Sequence, residues 1–208
     1  MKKFSVALLA VAAAIAITPV AYADSEAWDF ATAGTSFTNN NWTFGEVFVP
    51  THNMNVTFLG YYDPLDSDTS THPVGLFNAD GALLASTTIT SASVYTTASE
   101  NFYFNPISSV ELFAGQTYVV EGVSNADPYT WNDTGFAVYA PITILGNNWV
   151  LGNGLNFNGT GLINDVSDGY WGPNFGWNTQ VTPEPTSLLL LGSGLVSLAG
   201  MLRRKLKA

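Results

Sequence analysis

The sequence predicts an all-β protein: one β-sandwich domain, jelly-roll-like, flanked by an N-terminal signal helix and a C-terminal transmembrane helix. Three observations carry the fold class. Short segments rich in Val, Phe, Tyr, Trp and Thr recur between clusters of Gly, Pro, Asn and Asp. No stretch between residues 24 and 182 sustains a helical period. Tight-turn signals separate the segments, as in Asn78-Ala79-Asp80-Gly81 and Ala114-Gly115-Gln116, where a glycine can take positive φ. Many short strands at such spacing bury their apolar faces by closing into a sandwich or jelly roll.

Taken in order, strands are expected over 42–49, 54–61, 74–78, 82–89, 99–105, 109–113, 117–123, 135–140, 142–145 and 148–151. In the second, Met54, Val56 and Phe58 alternate with Asn55, Thr57 and Leu59, close to the period of a half-buried strand. In the seventh, Tyr118 and Val120 alternate less cleanly with Val119 and Glu121. A helix competes most closely over 83–92. Leu76, Phe77, Leu83 and Leu84 are expected in the core, and Gly60 and Gly75 at turns, bulges or close strand contacts.

The two ends read as targeting segments. Lys2 and Lys3 precede an apolar run from Phe4 to Ile17, and Ala21-Tyr22-Ala23 supplies small residues for cleavage before Asp24. At the other end Pro183-Glu184-Pro185 is held extended by its prolines. An uncharged, leucine-rich stretch from Ser187 to Leu202 follows, about 16 residues or about 24 Å of helix against a hydrocarbon core of about 30 Å. Arg203, Arg204, Lys205 and Lys207 then stop translocation and hold the terminus on the cytoplasmic side. The expected organisation is a signal peptide over 1–23, an exported domain over 24–182 and a tail over 183–208.

Charge is divided as sharply. All six Lys and Arg lie in the targeting segments. Of the sixteen acids only Glu184 lies in the tail, so the exported domain holds the other fifteen and no cationic side chain but two histidines. Nucleic-acid binding is excluded, because nothing neutralises phosphate. Long-range repulsion disfavours phosphorylated or sulfated ligands. The absence of cysteine excludes thiol chemistry and thiolate metal sites, and about 159 residues bury enough surface to fold without disulfides.

Pro183-Glu184-Pro185, the apolar stretch and the basic cluster, in that order, resemble the PEP-CTERM tail of exported bacterial proteins. The resemblance implies a membrane-embedded sorting protease that recognises the motif and removes the helix, after anchoring in the inner membrane. Within the domain, Leu59-Gly60-Tyr61-Tyr62-Asp63, Pro73-Val74-Gly75-Leu76-Phe77, Gly81-Ala82-Leu83-Leu84-Ala85-Ser86 and Leu112-Phe113-Ala114-Gly115-Gln116-Thr117-Tyr118-Val119 form a second set. They are similar to a jelly-roll-like domain of unknown function that recurs in PEP-CTERM proteins and in some exported carbohydrate-active proteins. Pro141-Ile142-Thr143 and Trp171-Gly172-Pro173-Asn174-Phe175 resemble the closing part of those proteins. No catalytic residues come with either resemblance.

Candidate chemistry is sparse. Asp63, Asp66 and Asp68 offer carboxylate oxygens, but the tight-turn glycine and late glutamate of a calcium loop are missing, so no metal or cofactor is expected there. His52 and His72 lack metal-ligand spacing, and the domain has no nucleophile elbow. Paired carboxylates need set distances that no spacing selects. Aromatic side chains stack on sugar faces while amides and carboxylates bond hydroxyls, which makes Tyr129, Trp131, Asn132 and Asp133 the candidate sugar contacts, expected on a loop. The functional expectation is a non-enzymatic cell-surface or matrix protein associated with extracellular polysaccharide; the alternative is a carbohydrate-binding module with a defined sugar site.

Overall fold

The computed structural model describes residues 22–62, 71–95, 101–125, 129–139, 141–152, 154–163 and 170–180. The apolar segments expected to be helical, the tail and the acidic loop with Asp63, Asp66 and Asp68 lie outside the described residues. Those described are all-β, and no helix occurs among them. In chain order the strands are β1 (Tyr22–Glu26), β2 (Trp28–Asp29), β3 (Thr35–Phe37), β4 (Trp42–Pro50), β5 (Met54–Tyr62), β6 (His72–Asn78), β7 (Leu83–Ile89) and β8 (Val94–Tyr95). They continue as β9 (Phe102–Leu112), β10 (Tyr118–Val123), β11 (Tyr129–Trp131), β12 (Ala137–Val138), β13 (Ile142–Leu151), β14 (Tyr170–Trp171) and β15 (Pro173–Gln180). Asp24 to Thr179 form one compact unit.

Two five-stranded antiparallel sheets, ordered β1-β15-β5-β9-β8 and β13-β4-β10-β6-β7, share one core, consistent with a β-sandwich. Aromatic pairs bridge them. Phe48 of β4 stacks on Phe175 of β15 at 4.5 Å, and Tyr61 of β5 lies flat on His72 of β6 at 4.1 Å. Trp28 packs edge-on against Phe175 and tilts against Trp171. His72 is buried and donates from Nδ1 to the Val123 carbonyl at 3.0 Å, so this histidine belongs to the core.

Local chemistry accounts for the turns. Gly81 has φ +85°, its N–H reaches the Asn78 carbonyl, and the Asn78 side chain accepts from the Asp80 and Ala82 amides. Gly115, at φ +77°, turns the chain between β9 and β10.

The strand expectations hold over β4, β5, β6, β7 and β10, and four differences stand out. The segments expected over 99–105 and 109–113 merge into the single strand β9, which runs only from Phe102 to Leu112, and those over 142–145 and 148–151 merge into β13. Each is interrupted by a register shift, between Val56 and Phe58 opposite β9 and between Ile144 and Gly146 in β13. Such bulges break the side-chain alternation that marks a strand. Leu83 and Leu84, expected in the core, are 52% and 37% exposed, because β7 is the last strand of its sheet. The expected strands do not include β1, β2, β3, β8, β11, β14 or β15, although β15 lies inside its sheet between β1 and β5, and of the strand expected over 135–140 only Ala137–Val138 forms as β12.

Candidate functional site

Aromatic side chains from separate parts of the chain converge on one cluster. It is built on the small sheet β14-β11-β3, in which Tyr129 pairs with Phe37 and Trp131 with both Thr35 and Tyr170. The residues expected on a loop thus begin on a strand: Tyr129, Thr130 and Trp131 form β11. Tyr170 is the hub. It stacks on Trp131 at 6.1 Å, meets Trp149 edge-on at 4.9 Å and Tyr129 edge-on at 5.7 Å, and touches Phe37 and Phe44. Phe44 and Tyr129 are buried, whereas Phe37, Trp131, Trp149 and Tyr170 are half-buried and keep ring surface toward solvent.

Polar groups fix this platform. Asn39 Oδ1 accepts from the Tyr129 hydroxyl at 2.8 Å and from Trp42 Nε1 at 3.1 Å. Asp133 Oδ1 accepts from the Gly34 amide and the Thr130 hydroxyl, both at 2.6 Å. Gly34 is required there, since a side chain would strike the carbonyls of Trp131 and Asn132. Burial raises the Asp133 carboxyl above the usual range, with these two bonds working the other way. Burial also raises the Tyr129 phenol, Tyr170 adds to it, and the Asn39 bond opposes it. Asn132 is exposed, at φ +59°.

The four sequence-derived residues therefore stand in different positions. Trp131 and Asn132 have surface to offer a ligand. Tyr129 supports the platform from beneath, and Asp133 ties the turn that carries them. Spacing gave no signal for Phe37, Trp149 and Tyr170, which reach the cluster from β3, β13 and β14.

Among the described residues no three acidic or histidine side chains come together, although the charge of Asp29 acts on Glu26. Glu46 stands opposite Val120 on the inner face of its sheet, whereas Glu121, the next residue along β10, points to the outer face. Asp29 Oδ1 is engaged by the Phe30 amide and Asn101 Nδ2. His52 is exposed, its Nδ1 paired with the Thr51 hydroxyl.

Two family matches divide the chain in the same way. Residues 30–160 match the domain of unknown function DUF4082. The chain belongs to this family. Residues 181–205 match the PEP-CTERM protein-sorting motif, a stretch that contains Pro183, Glu184, Pro185, Arg203, Arg204 and Lys205. The protein is therefore exported, held at the membrane by its C-terminus before processing, and handed to a membrane-associated sorting protease. The DUF4082 match stops before β14 and β15, although Tyr170 completes the aromatic cluster and β15 sits inside a sheet. No curated protein matches the chain.

Proposed function

We propose that this DUF4082 protein is a non-enzymatic component of the cell surface or extracellular matrix, delivered by its PEP-CTERM tail and associated with neutral extracellular polysaccharide. The sorting motif carries this reading. In support, Glu46 of β4 and Glu121 of β10, both raised by burial, lie on opposite faces of one sheet, so these two do not face a shared cleft as an acid–base pair requires. Each histidine has a structural role or a local partner. The proposed layout includes a signal peptide cut before Asp24, a transmembrane helix over the apolar tail and release to the surface or medium. Strands β1, β4, β5, β6, β7, β9, β10 and β15, counted as one to eight, form sheets ordered 1-8-3-6 and 2-7-4-5, which supports a jelly-roll reading with β13 as an added edge.

Mass spectrometry of surface and secreted material tests the sorting step. Mature chains lacking Arg203 to Ala208 are expected, and Glu184→Ala should leave an uncut form in the inner membrane. Intact chains ending in Lys207-Ala208 on the surface would make the tail a plain anchor.

The half-buried Trp131, Trp149 and Tyr170 favour a second reading, a defined sugar site. On a glycan array, saturable binding to one glycan class is its expected signature, with Trp131→Ala and Tyr170→Ala each weakening it about tenfold, or about 1.4 kcal/mol. Weak binding across many glycans, unaffected by either change, would leave only the matrix role.

A further inference from the structure

The outer face of the β13-β4-β10-β6-β7 sheet is covered by the chain segment that follows β13. Phe157 packs on Phe77 at 5.6 Å, Asn158 Nδ2 donates to the Thr43 carbonyl, and the Thr43 hydroxyl donates to the Gly154 carbonyl. Beneath this cover one register row runs from Asn148 through Gly45 to Glu121 and Gly75, all on the same face. Glu121 and Asn148 are both buried, at 0% and 3% exposure. Glu121 Oε1 accepts the Asn158 amide at 2.5 Å, while Oε2 has no partner. Asn148 spends its Nδ2 on the carbonyls of Gly159 and Gly161, at 2.8 and 3.0 Å, which turns Oδ1 back over the sheet. There Oδ1 also lacks a partner, and it lies so close above Gly45 that a Cβ at that position would stand 2.5 Å away.

Two residues with an unpaired oxygen thus stand on either side of Gly45 in this row, where the strand has no side chain. Three carbonyls of the cover, those of Gly154, Gly159 and Gly161, are held on the same side of the sheet, each with a second lone pair. Every unused group is an acceptor, and the domain has no lysine or arginine to answer them.

We propose that Glu121, Asn148 and the carbonyl oxygens of segment 154–161 bind a hard divalent cation of the size of Ca²⁺, which pins the segment to the sheet. Among the described residues no three of His, Cys, Asp and Glu come together. The set is one carboxylate, one amide and backbone oxygens, which suits calcium and not zinc. In an exported protein the ion is supplied by the medium, and it neutralises a carboxylate that nothing in the domain neutralises.

Thermal melts of the full chain in detergent, with calcium chloride or with chelator, test the site. Calcium at about a hundredfold above Kd should raise Tm by about 5–10 °C. Glu121→Gln should abolish that rise, and Asp66→Ala should leave it intact. No rise at any calcium concentration up to about 10 mM, the free level an extracellular module of weak affinity needs, would overturn the proposal. A rise that survives Glu121→Gln would overturn it too, as would one lost in Asp66→Ala. Paramagnetic broadening by Gd³⁺ in the wild-type chain gives a reading that no variant's folding can obscure. Broadening centred on the amides of Gly45, Glu121 and Asn148 supports the site, and broadening centred on residues 63–69 refutes it.

Discussion

Phe175→Ala is expected to cost about 3–5 kcal/mol of unfolding free energy, a large share of the ~5–15 kcal/mol that a domain has. Phe175 is fully buried, stacks on Phe48 of the facing sheet and takes the edge of Trp28. Its carbonyl accepts the Ala27 amide at 2.9 Å, and its strand pairs with β5 from Pro173 to Gly176. Removing the ring opens a cavity where three elements meet, and a rigid aromatic neighbourhood cannot close it. Urea unfolding of the full chain would measure the loss. Leu162→Ala, at a residue 49% exposed, should change stability by less than about 0.5 kcal/mol. A cost for Phe175→Ala as small as that would place β15 outside the core. The result bears on delivery, because β15 ends at Gln180 and the sorting motif begins at residue 181. A chain that unfolds before it is sorted exposes its motif in a form open to proteolysis, so surface yield should fall with stability.

The strands legible in the sequence are those whose apolar residues form an unbroken run or a clean alternation. β15 has neither. It reads Pro173-Asn174-Phe175-Gly176-Trp177, with a polar residue at a fully buried position. Asn174 is tolerated there because Nδ2 reaches the Trp28 carbonyl and Oδ1 accepts the Phe175 amide. That is long-range information, 146 residues apart, which no local pattern carries. Leu83 and Leu84 show the converse. Their apolar character is real, yet only the sheet order places them on an edge strand.

The same contrast governs the candidate sites. Trp131 and Asn132 were legible because one short segment holds an aromatic beside an amide. Tyr170 and Trp149 were not, since only folding brings them to that segment. Glu121 and Asn148 were hidden more deeply. A glutamate in Tyr118–Val123 reads as the solvent-facing member of an alternating strand, and the cover that buries it comes from residues more than thirty positions away, with Asn158 donating across 37. The tail is the opposite extreme, because its physics lies wholly in local composition and order.

The stability of this domain should fall as pH rises from about 4.5 to about 8, the reverse of ordinary acid denaturation. Burial, with the charge of Asp29 adding to it, pushes the Glu26 carboxyl up to about 8. Burial pushes Glu121 up to about 7 against its bond from Asn158, and holds Glu46 well above the usual carboxylate range. Asn147 offsets part of the Glu46 shift, though neither Glu46 oxygen has a hydrogen-bond partner. In the unfolded chain all three ionise near 4.5. Below that pH both states are protonated and the full stability is present. Above it the unfolded chain sheds protons that the folded chain keeps, so folding loses stability until the folded group also ionises, at most about 1.4 kcal/mol per pH unit for a fully buried group and less for the partly exposed, solvent-screened Glu26. That point comes near pH 7 for Glu121 and near pH 8 for Glu26. Self-repulsion among fifteen acids acts in the same direction. Urea midpoints measured in chelator should therefore be higher at pH 5 than at pH 8. Glu46→Gln removes a fully buried carboxyl and keeps its shape. It should leave stability at pH 4.5 nearly unchanged and raise it at pH 8. A midpoint that climbs between pH 5 and pH 8, or a Glu46→Gln variant that is weaker at pH 8, would mean that these carboxylates are charged in the folded chain and are stabilised there by an ion or a bond.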